Sequence, residues 1–261
     1  MSLRILRRSL SSFELPSHLR TPFVTPTPPG RCMIIGNAFW RYPLAVVPPE
    51  PTVAPLITAI RELESTMRPF RIISHEDDSG RVFNASFFVD EPTMKRFLDW
   101  YNVNALAPEG EFHKCLTPAA LVEVDLPTPK TLLFGAGTTV LADTRFGEYQ
   151  LGMGVRYSRQ VLRSAEMRAE ALEESSSAEF EERIAECMQA HGVAYFGRLI
   201  MSEGAPADGE AGTFLTAVRY GSLEDALRGS AVARELLAPE IARWFSETSS
   251  VIGTASRVLE L

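Results

Sequence analysis

The sequence predicts an α+β fold in which two units of order β-α-β-β-α-β follow one another in a single chain. Three observations carry this. The last seventy residues, Gly192–Leu261, read strand (Val193–Met201), hairpin (Ser202–Gly212), strand (Thr213–Tyr220), amphipathic helix (Ser222–Ser249) and strand (Val251–Leu259). A strand and a long helix precede them, Tyr149–Tyr157 and Leu162–Ala190. The same order recurs in residues 31–125, where the last helix starts at Glu91, 131 residues before Ser222. That offset carries Val82 onto Thr213 and Ala120 onto Val251, positions at or near predicted strand starts. The repeat lies in the order of elements, because residue identity between the units is low. The predicted divisions are an N-terminal arm (1–30), a first unit (31–126), a connector (127–147) and a second unit (148–261).

The elements follow from local signals. Prolines 16, 22, 26, 28 and 29 keep the segment before the first unit extended. Cys32–Trp40 reads as a strand. In Thr52–Met67 the apolar residues Val53, Leu56, Ile57, Ile60 and Leu63 recur at three- and four-residue spacing, so one face of a helix is buried. Arg71–Glu76 and Val82–Val89 flank Asp77-Asp-Ser-Gly80, a hairpin whose glycine supplies the tight turn. Asp90-Glu-Pro92 opens a helix with Met94, Phe97, Leu98 and Tyr101 inward. Ala105–Lys114 reads as loop and Ala119–Val124 as the closing strand. Within the connector, Leu132–Phe134 and Thr138–Leu141 suggest short edge strands around a bend or bulge at Gly135 and Gly137. In the second unit, Glu173–Ser177 divides the first helix, and Phe180, Ile184, Cys187 and Met188 face inward from its second half. Pro239 kinks or divides the last helix.

Composition narrows the partners. Of 261 residues, 45% are hydrophobic and 23% charged, ordinary for a globular protein. A net charge of −7 with no compensating basic patch argues against nucleic acid or an anionic membrane surface. No apolar run approaches the ~18 residues of a membrane span. Cys32, Cys115 and Cys187 form no CxxC pair, and His18, His75, His113 and His191 show no metal-ligand spacing, so no metal site is expected. These features predict a cytoplasmic protein. The Arg- and Ser-rich, acid-free Met1–Phe13 leaves a mitochondrial transit peptide as the alternative. The glycines of the connector match neither a GxGxxG nor a Walker motif.

A β-α-β-β-α-β unit of this kind is ferredoxin-like: helices cover one sheet face and leave the other bare. Two such sheets bury their bare faces against each other and close a barrel. Over residues 31–261 the pattern resembles the dimeric α/β barrel superfamily, which includes antibiotic-biosynthesis monooxygenases, polyketide cyclases, haem-binding members and NIPSNAP-like proteins, here as a fused tandem repeat. The barrel would close within the chain or between chains of a homodimer. The resemblance implies a hydrophobic small-molecule ligand in a pocket against the bare sheet face. It implies either a cofactor-independent oxygenase or cyclase acting on an aromatic or polyketide-like substrate, or a non-catalytic or haem-binding protein.

Polar residues on strands are therefore the candidates. Asn37, with Trp40 near it, resembles the Asn/Trp equipment of cofactor-free monooxygenases, where an amide supports an oxyanion and aromatic walls exclude water. A barrel asparagine bonded to its neighbour strand is the plain alternative. His75 stands beside Glu76 and Asp77, whose charges would raise its pKa and suit it to general-base work. It is also the candidate haem ligand, or else a solvated hairpin residue. Asn84 and Ser86 share a strand face with Phe88 and place polar groups among apolar ones. Arg156, Arg198 and Arg219 lie on three strands of the second unit, where an anionic ligand or carboxylates such as Glu148, Glu203 and Glu260 must pair them. Arg156 shares its face with Gly152 and Gly154, which would leave room for a ligand. Tyr157, on the opposite face, reads as core.

Overall fold

The computed structural model describes residues 32–37, 50–78, 82–116, 132–142, 151–202 and 212–261. The predicted arm (1–30), Trp40 and the predicted strand Ala119–Val124 lie outside the described residues, as does most of the hairpin Ser202–Gly212. The first half comprises β1 (Cys32–Asn37), α1 (Glu50–Glu62), β2 (Arg71–Glu76), β3 (Val82–Phe88), α2 (Glu91–Tyr101), a short α3 (His113–Leu116) and β4 (Leu132–Ala142). The second comprises β5 (Gly154–Leu162), α4 (Met167–Ser176), α5 (Ala178–Ala190), β6 (Tyr195–Ser202), β7 (Thr213–Tyr220), α6 (Leu223–Leu236), α7 (Ala238–Trp244) and β8 (Phe245–Glu260). The fold is α+β with an antiparallel sheet and helices, as the sequence predicts.

The strands pair in the order β1-β3-β2-β8-β5-β7-β6-β4, and β4 pairs with β1 to return to the start. β4 thus lies between β1 and β6, and its eleven residues run through Gly135 and Gly137 without a break. The two short edge strands expected inside the connector are one strand paired on both sides. The irregularity expected at the glycines is present: Ile35 pairs with Gly135 and Gly36 with Leu133, which leaves Phe134 as the extra residue of a bulge. β3 and β7 begin at Val82 and Thr213, where the sequence places these strands.

The capping chemistry acts where the sequence places it. The Asp90 carboxylate accepts from the Thr93 N–H at 2.8 Å and fixes the start of α2. Ser177 is extended and its hydroxyl accepts from the Phe180 N–H at 3.1 Å, so it separates α4 from α5. Leu237, two residues before Pro239, separates α6 from α7. α2 runs on into a π-turn at Asn102–Leu106, held in part by Asn104 Nδ2 donating to the Trp100 carbonyl at 2.8 Å; this turn and α3 at His113–Leu116 take up the two ends of the predicted loop Ala105–Lys114. The last helix ends at Trp244 rather than near Ser249. Residues 245–250 instead extend β8 along β5, with Thr248 opposite Gln160.

Strand parity divides the core into two layers. Ile73, Phe83, Ala85 and Phe87 from the first half pack with Val155, Tyr157, Leu199, Met201, Leu215, Ala217 and Ala255 from the second. Each large apolar side chain buried there contributes about 1.5–3 kcal/mol, so the inner faces are fastened to one another and filled by side chains. The opposite faces carry the helices. α1 and α2 cover Phe88, whereas α5 and α6 cover Val218 and Tyr220; Trp244 and Ala171 close over Leu162 and Phe214.

Candidate functional site

A cavity of about 120 Å³ opens in the second half, between the helix-facing side of β5–β8 and helices α4–α7. It therefore lies under the helix layer, not between the apposed inner sheet faces where the resemblance puts it. Those inner faces are packed with Phe83, Tyr157, Leu215 and Met201. The helix-facing residues of β5 are Arg156, Ser158 and Gln160, and those of β7 are Phe214, Thr216, Val218 and Tyr220; all seven line the cavity. Phe180, Ile184 and Met188 of α5 face them, with Ser230 and Ala233 of α6 and Glu240 and Trp244 of α7.

Much of the polar lining is mutually satisfied. Thr216 donates to Gln160 Oε1 at 2.9 Å, and the Ser158 and Ser250 hydroxyls are 2.9 Å apart. Arg198 is buried and gives Nε to Glu181 Oε2 at 2.7 Å and Nη2 to the Ser175 carbonyl. The Tyr195 hydroxyl donates to the other Glu181 oxygen at 2.6 Å. Burial, followed by the Glu181 charge, pushes the Tyr195 phenol well above its ordinary value. The Arg198 guanidinium also lies over the Phe180 ring at 4.8 Å. Arg198 is thus a structural cation, paired by Glu181 rather than by the rim carboxylates the sequence suggests.

Four buried polar atoms of the lining have no hydrogen-bond partner among the described residues: Arg156 Nε, the Tyr220 hydroxyl, Glu240 Oε2 and Trp244 Nε1. Arg156 donates Nη1 to Ser230 Oγ at 3.3 Å, which orients the guanidinium. Burial pushes the Tyr220 phenol up, while the Arg156 charge pulls it down, so the two groups share one field. Arg183 Nη2 donates to Glu240 Oε1, and Oε2 is left buried without a partner among the described residues. Aromatic rings complete the wall, with Trp244 edge-on to Phe245 at 6.2 Å. A cationic N–H and a phenol in an apolar, mostly enclosed space can hold a ligand oxygen that carries or develops negative charge.

The other sequence candidates fall elsewhere. Asn84 accepts a hydrogen bond from Ser74 Oγ at 2.8 Å, its direct partner across β2 and β3. Ser86 shares that helix-facing side of the first half with Phe88, which packs under α1 and α2, and none of the three lines the cavity. Arg219 is fully buried and has the parity of Leu215 and Ala217, on the inner side of the sheet. Asn37 ends β1 opposite Leu132; the described residues give its backbone position only. Gly154 offers no room beside Arg156: a Cβ there would stand 2.0 Å from the Ser222 carbonyl oxygen, so the start of α6 already fills that space.

His75 corrects two expectations together. It is fully buried in the inner layer, stacked on Phe83 at 5.0 Å and edge-on to Tyr157 at 5.3 Å, with the Tyr157 hydroxyl 3.4 Å from Nε2. Burial lowers its pKa to about 3, the reverse of what Glu76 and Asp77 would do, because the alternation of β2 turns His75 inward while Glu76 is exposed. A ring enclosed between Phe83 and Tyr157 leaves no open approach for a haem iron, and among the described residues no histidine or cysteine lines the cavity. Among the described residues no group of three or more His, Cys, Asp or Glu could hold a metal ion, and no helix is long and apolar enough to cross a membrane. Tyr220, Glu240 and Trp244 escape the sequence reading. Tyr220 could have been found by its strand position two residues on from Val218, on the face that α6 covers.

No protein-family model matches the chain, and no curated protein does. Several solved structures are similar in fold. An anthrone oxidase-like protein is 9% identical with a TM-score of 0.49, over 91% of this chain and 96% of its own. A mutant chlorite dismutase from Candidatus Nitrospira defluvii is 12% identical with a TM-score of 0.49, over 88% and 93%. A protein assigned provisionally as a monooxygenase, from Fusobacterium nucleatum subsp. nucleatum, is 7% identical with a TM-score of 0.39, over 88% and 94%.

Proposed function

We propose that the chain is a small-molecule enzyme of the monooxygenase type, built from two fused ferredoxin-like units, whose substrate lies in the helix-covered cavity of the second half. The observation that carries this reading is the pair Arg156 Nε and Tyr220 hydroxyl, both buried, without partners among the described residues, and facing an apolar space. Leaving such donors unbonded costs about 1–3 kcal/mol each, a cost that a ligand oxygen removes.

The substrate class that fits is an aromatic or polyketide-like molecule with an acidic C–H next to a carbonyl. Arg156 and Tyr220 stabilise its enolate oxygen, and Phe180, Phe214 and Trp244 wall the ring system from water. In cofactor-independent oxygenation the enolate supplies the electrons. An activated CH₂ becomes a carbonyl that retains one oxygen of O₂, and the other leaves as water. Intramolecular cyclisation uses the same enolate as a carbon nucleophile and is the runner-up, since the same two donors serve it.

The test is dioxygen uptake with anthrone and related activated-methylene aromatics, comparing the parent protein with Arg156→Ala and Tyr220→Phe. Losing the enolate stabilisation should lower kcat by about 10²–10³-fold in Arg156→Ala. Unchanged turnover in both variants would remove this site from the reaction. Product formed without oxygen consumption would move the assignment to the cyclase.

A further inference from the structure

The unbonded groups of the cavity lie at its two ends, and the second end carries chemistry that the first does not use. Arg156 and Tyr220 sit near the α6 end of the sheet, against Ser230 and Ala226. Trp244 packs instead with Leu162 and Phe214, the far ends of β5 and β7. Leu162 lies six positions after Arg156, and Tyr220 six after Phe214, so the backbones at the two ends are up to about 20 Å apart along the strands, a span of which the Arg156 and Trp244 side chains lining the cavity cover part. Glu240 joins Trp244 there, since the two occupy positions four apart on one face of α7.

These residues offer complementary halves of a hydrogen-bonding site. Trp244 is 2% exposed, and its Nε1, a donor only, is unbonded among the described residues. The Glu240 Oε2, an acceptor only, is likewise buried and unbonded, while Arg183 on the other oxygen keeps the carboxylate in place. A hydroxyl group that reached both would donate to Oε2 and accept from Nε1. Phe214 and Phe245 beside Trp244 suit the flat ring that would carry it.

We infer that Glu240 and Trp244 form a hydroxyl-recognition subsite, and that the substrate held by Arg156 is an elongated, flat aromatic molecule hydroxylated at the end remote from its anionic oxygen. The inference rests on the reading of this cavity as the substrate site. It makes Glu240 and Trp244 specificity-determining residues.

The probes are two rigid acids that differ by one hydroxyl at the far end, 2-naphthoate and 6-hydroxy-2-naphthoate, titrated by calorimetry into the full chain. The parent protein should bind the hydroxylated acid about tenfold more tightly, the value of one charge-assisted hydrogen bond. Glu240→Gln and Trp244→Phe should each cut that preference to about threefold or less. Equal affinities in the parent protein, or a preference that survives both variants, would overturn the subsite. If Arg156→Ala still weakens both acids in that case, the Arg156 end stands and only the hydroxyl subsite falls. Binding of neither acid overturns both. The comparison in the parent protein decides even where Trp244→Phe does not fold.

Discussion

Replacing His75 should flatten the acid limb of the stability curve. The imidazole is fully buried between Phe83 and Tyr157, and burial holds its pKa near 3 against an ordinary 6.5. Below pH 6.5 the unfolded chain takes up a proton that the folded chain refuses. Folding stability is therefore whole above pH 6.5 and drains away as the pH falls from 6.5 toward 3. For these two pKa values the linkage relation gives a loss of about 1.4 kcal/mol at pH 5.5 and about 2.7 kcal/mol at pH 4.5. His75→Gln keeps a polar group near the Tyr157 hydroxyl but does not titrate. Urea unfolding at pH 7.5, 5.5 and 4.5 measures both proteins, and carboxylates common to both cancel in the difference. The variant should start less stable at pH 7.5 and lose ground more slowly, so the gap closes by about 2–3 kcal/mol by pH 4.5. Parallel curves would show that His75 protonates freely in the folded protein, which contradicts its enclosure.

Two further outcomes test the packing around the cavity. Gly154→Ala places a methyl group 2.0 Å from the Ser222 carbonyl oxygen, and backbone yields less readily than a side chain. The expected cost is about 3 kcal/mol, the upper part of the overpacking range, and an unchanged thermal midpoint would refute the close approach. Glu181→Ala strips the carboxylate from Arg198, whose side chain is 6% exposed. It should cost about 3–5 kcal/mol in urea, while Glu179→Ala on the exposed side of the same helix should cost almost nothing; equal effects would mean that the buried pair is not what holds α5 to β6.

Much of the fold is written in local patterns. β2, β3 and β7 are bounded by turns and begin where the sequence places them, and Asp90 and Ser177 cap helices as isolated residues can. β8 is different. Residues 246–250, Ser-Glu-Thr-Ser-Ser, are exposed and carry no apolar alternation, so only the ladder to β5 makes them a strand. β4 is hidden for a related reason: two glycines weaken its local preference, and β1 and β6 on either side supply what is missing. The cavity was legible in part. Arg156 stands out as a strand arginine, but placing the pocket needed the identity of the covered face. Arg156, Ser158 and Gln160 alternate with the core residues Val155 and Tyr157, and that parity assigns them to the helix side. Tyr220, Glu240 and Trp244 look like ordinary core and surface positions until burial shows their polar atoms unbonded. His75 misleads for the opposite reason, since Glu76 beside it is exposed on the other face of β2 while Ile73, two residues earlier, shares its face.

The pairing of β2 with β8 ties residues near the start of the described chain to its last strand, with Arg71 and Glu260 189 residues apart and joined by a 2.6 Å ion pair. At ribosomal rates of 5–20 residues per second, β2 waits roughly 10–40 s after its own synthesis before β8 exists to meet it. Throughout that interval one edge of β2 lacks its native partner, in a chain whose inner layer needs strands from both halves. Ladders of such high sequence separation fold slowly. The nascent chain is therefore exposed to strand-edge aggregation, and dependent on chaperones, for as long as β8 is still to be made.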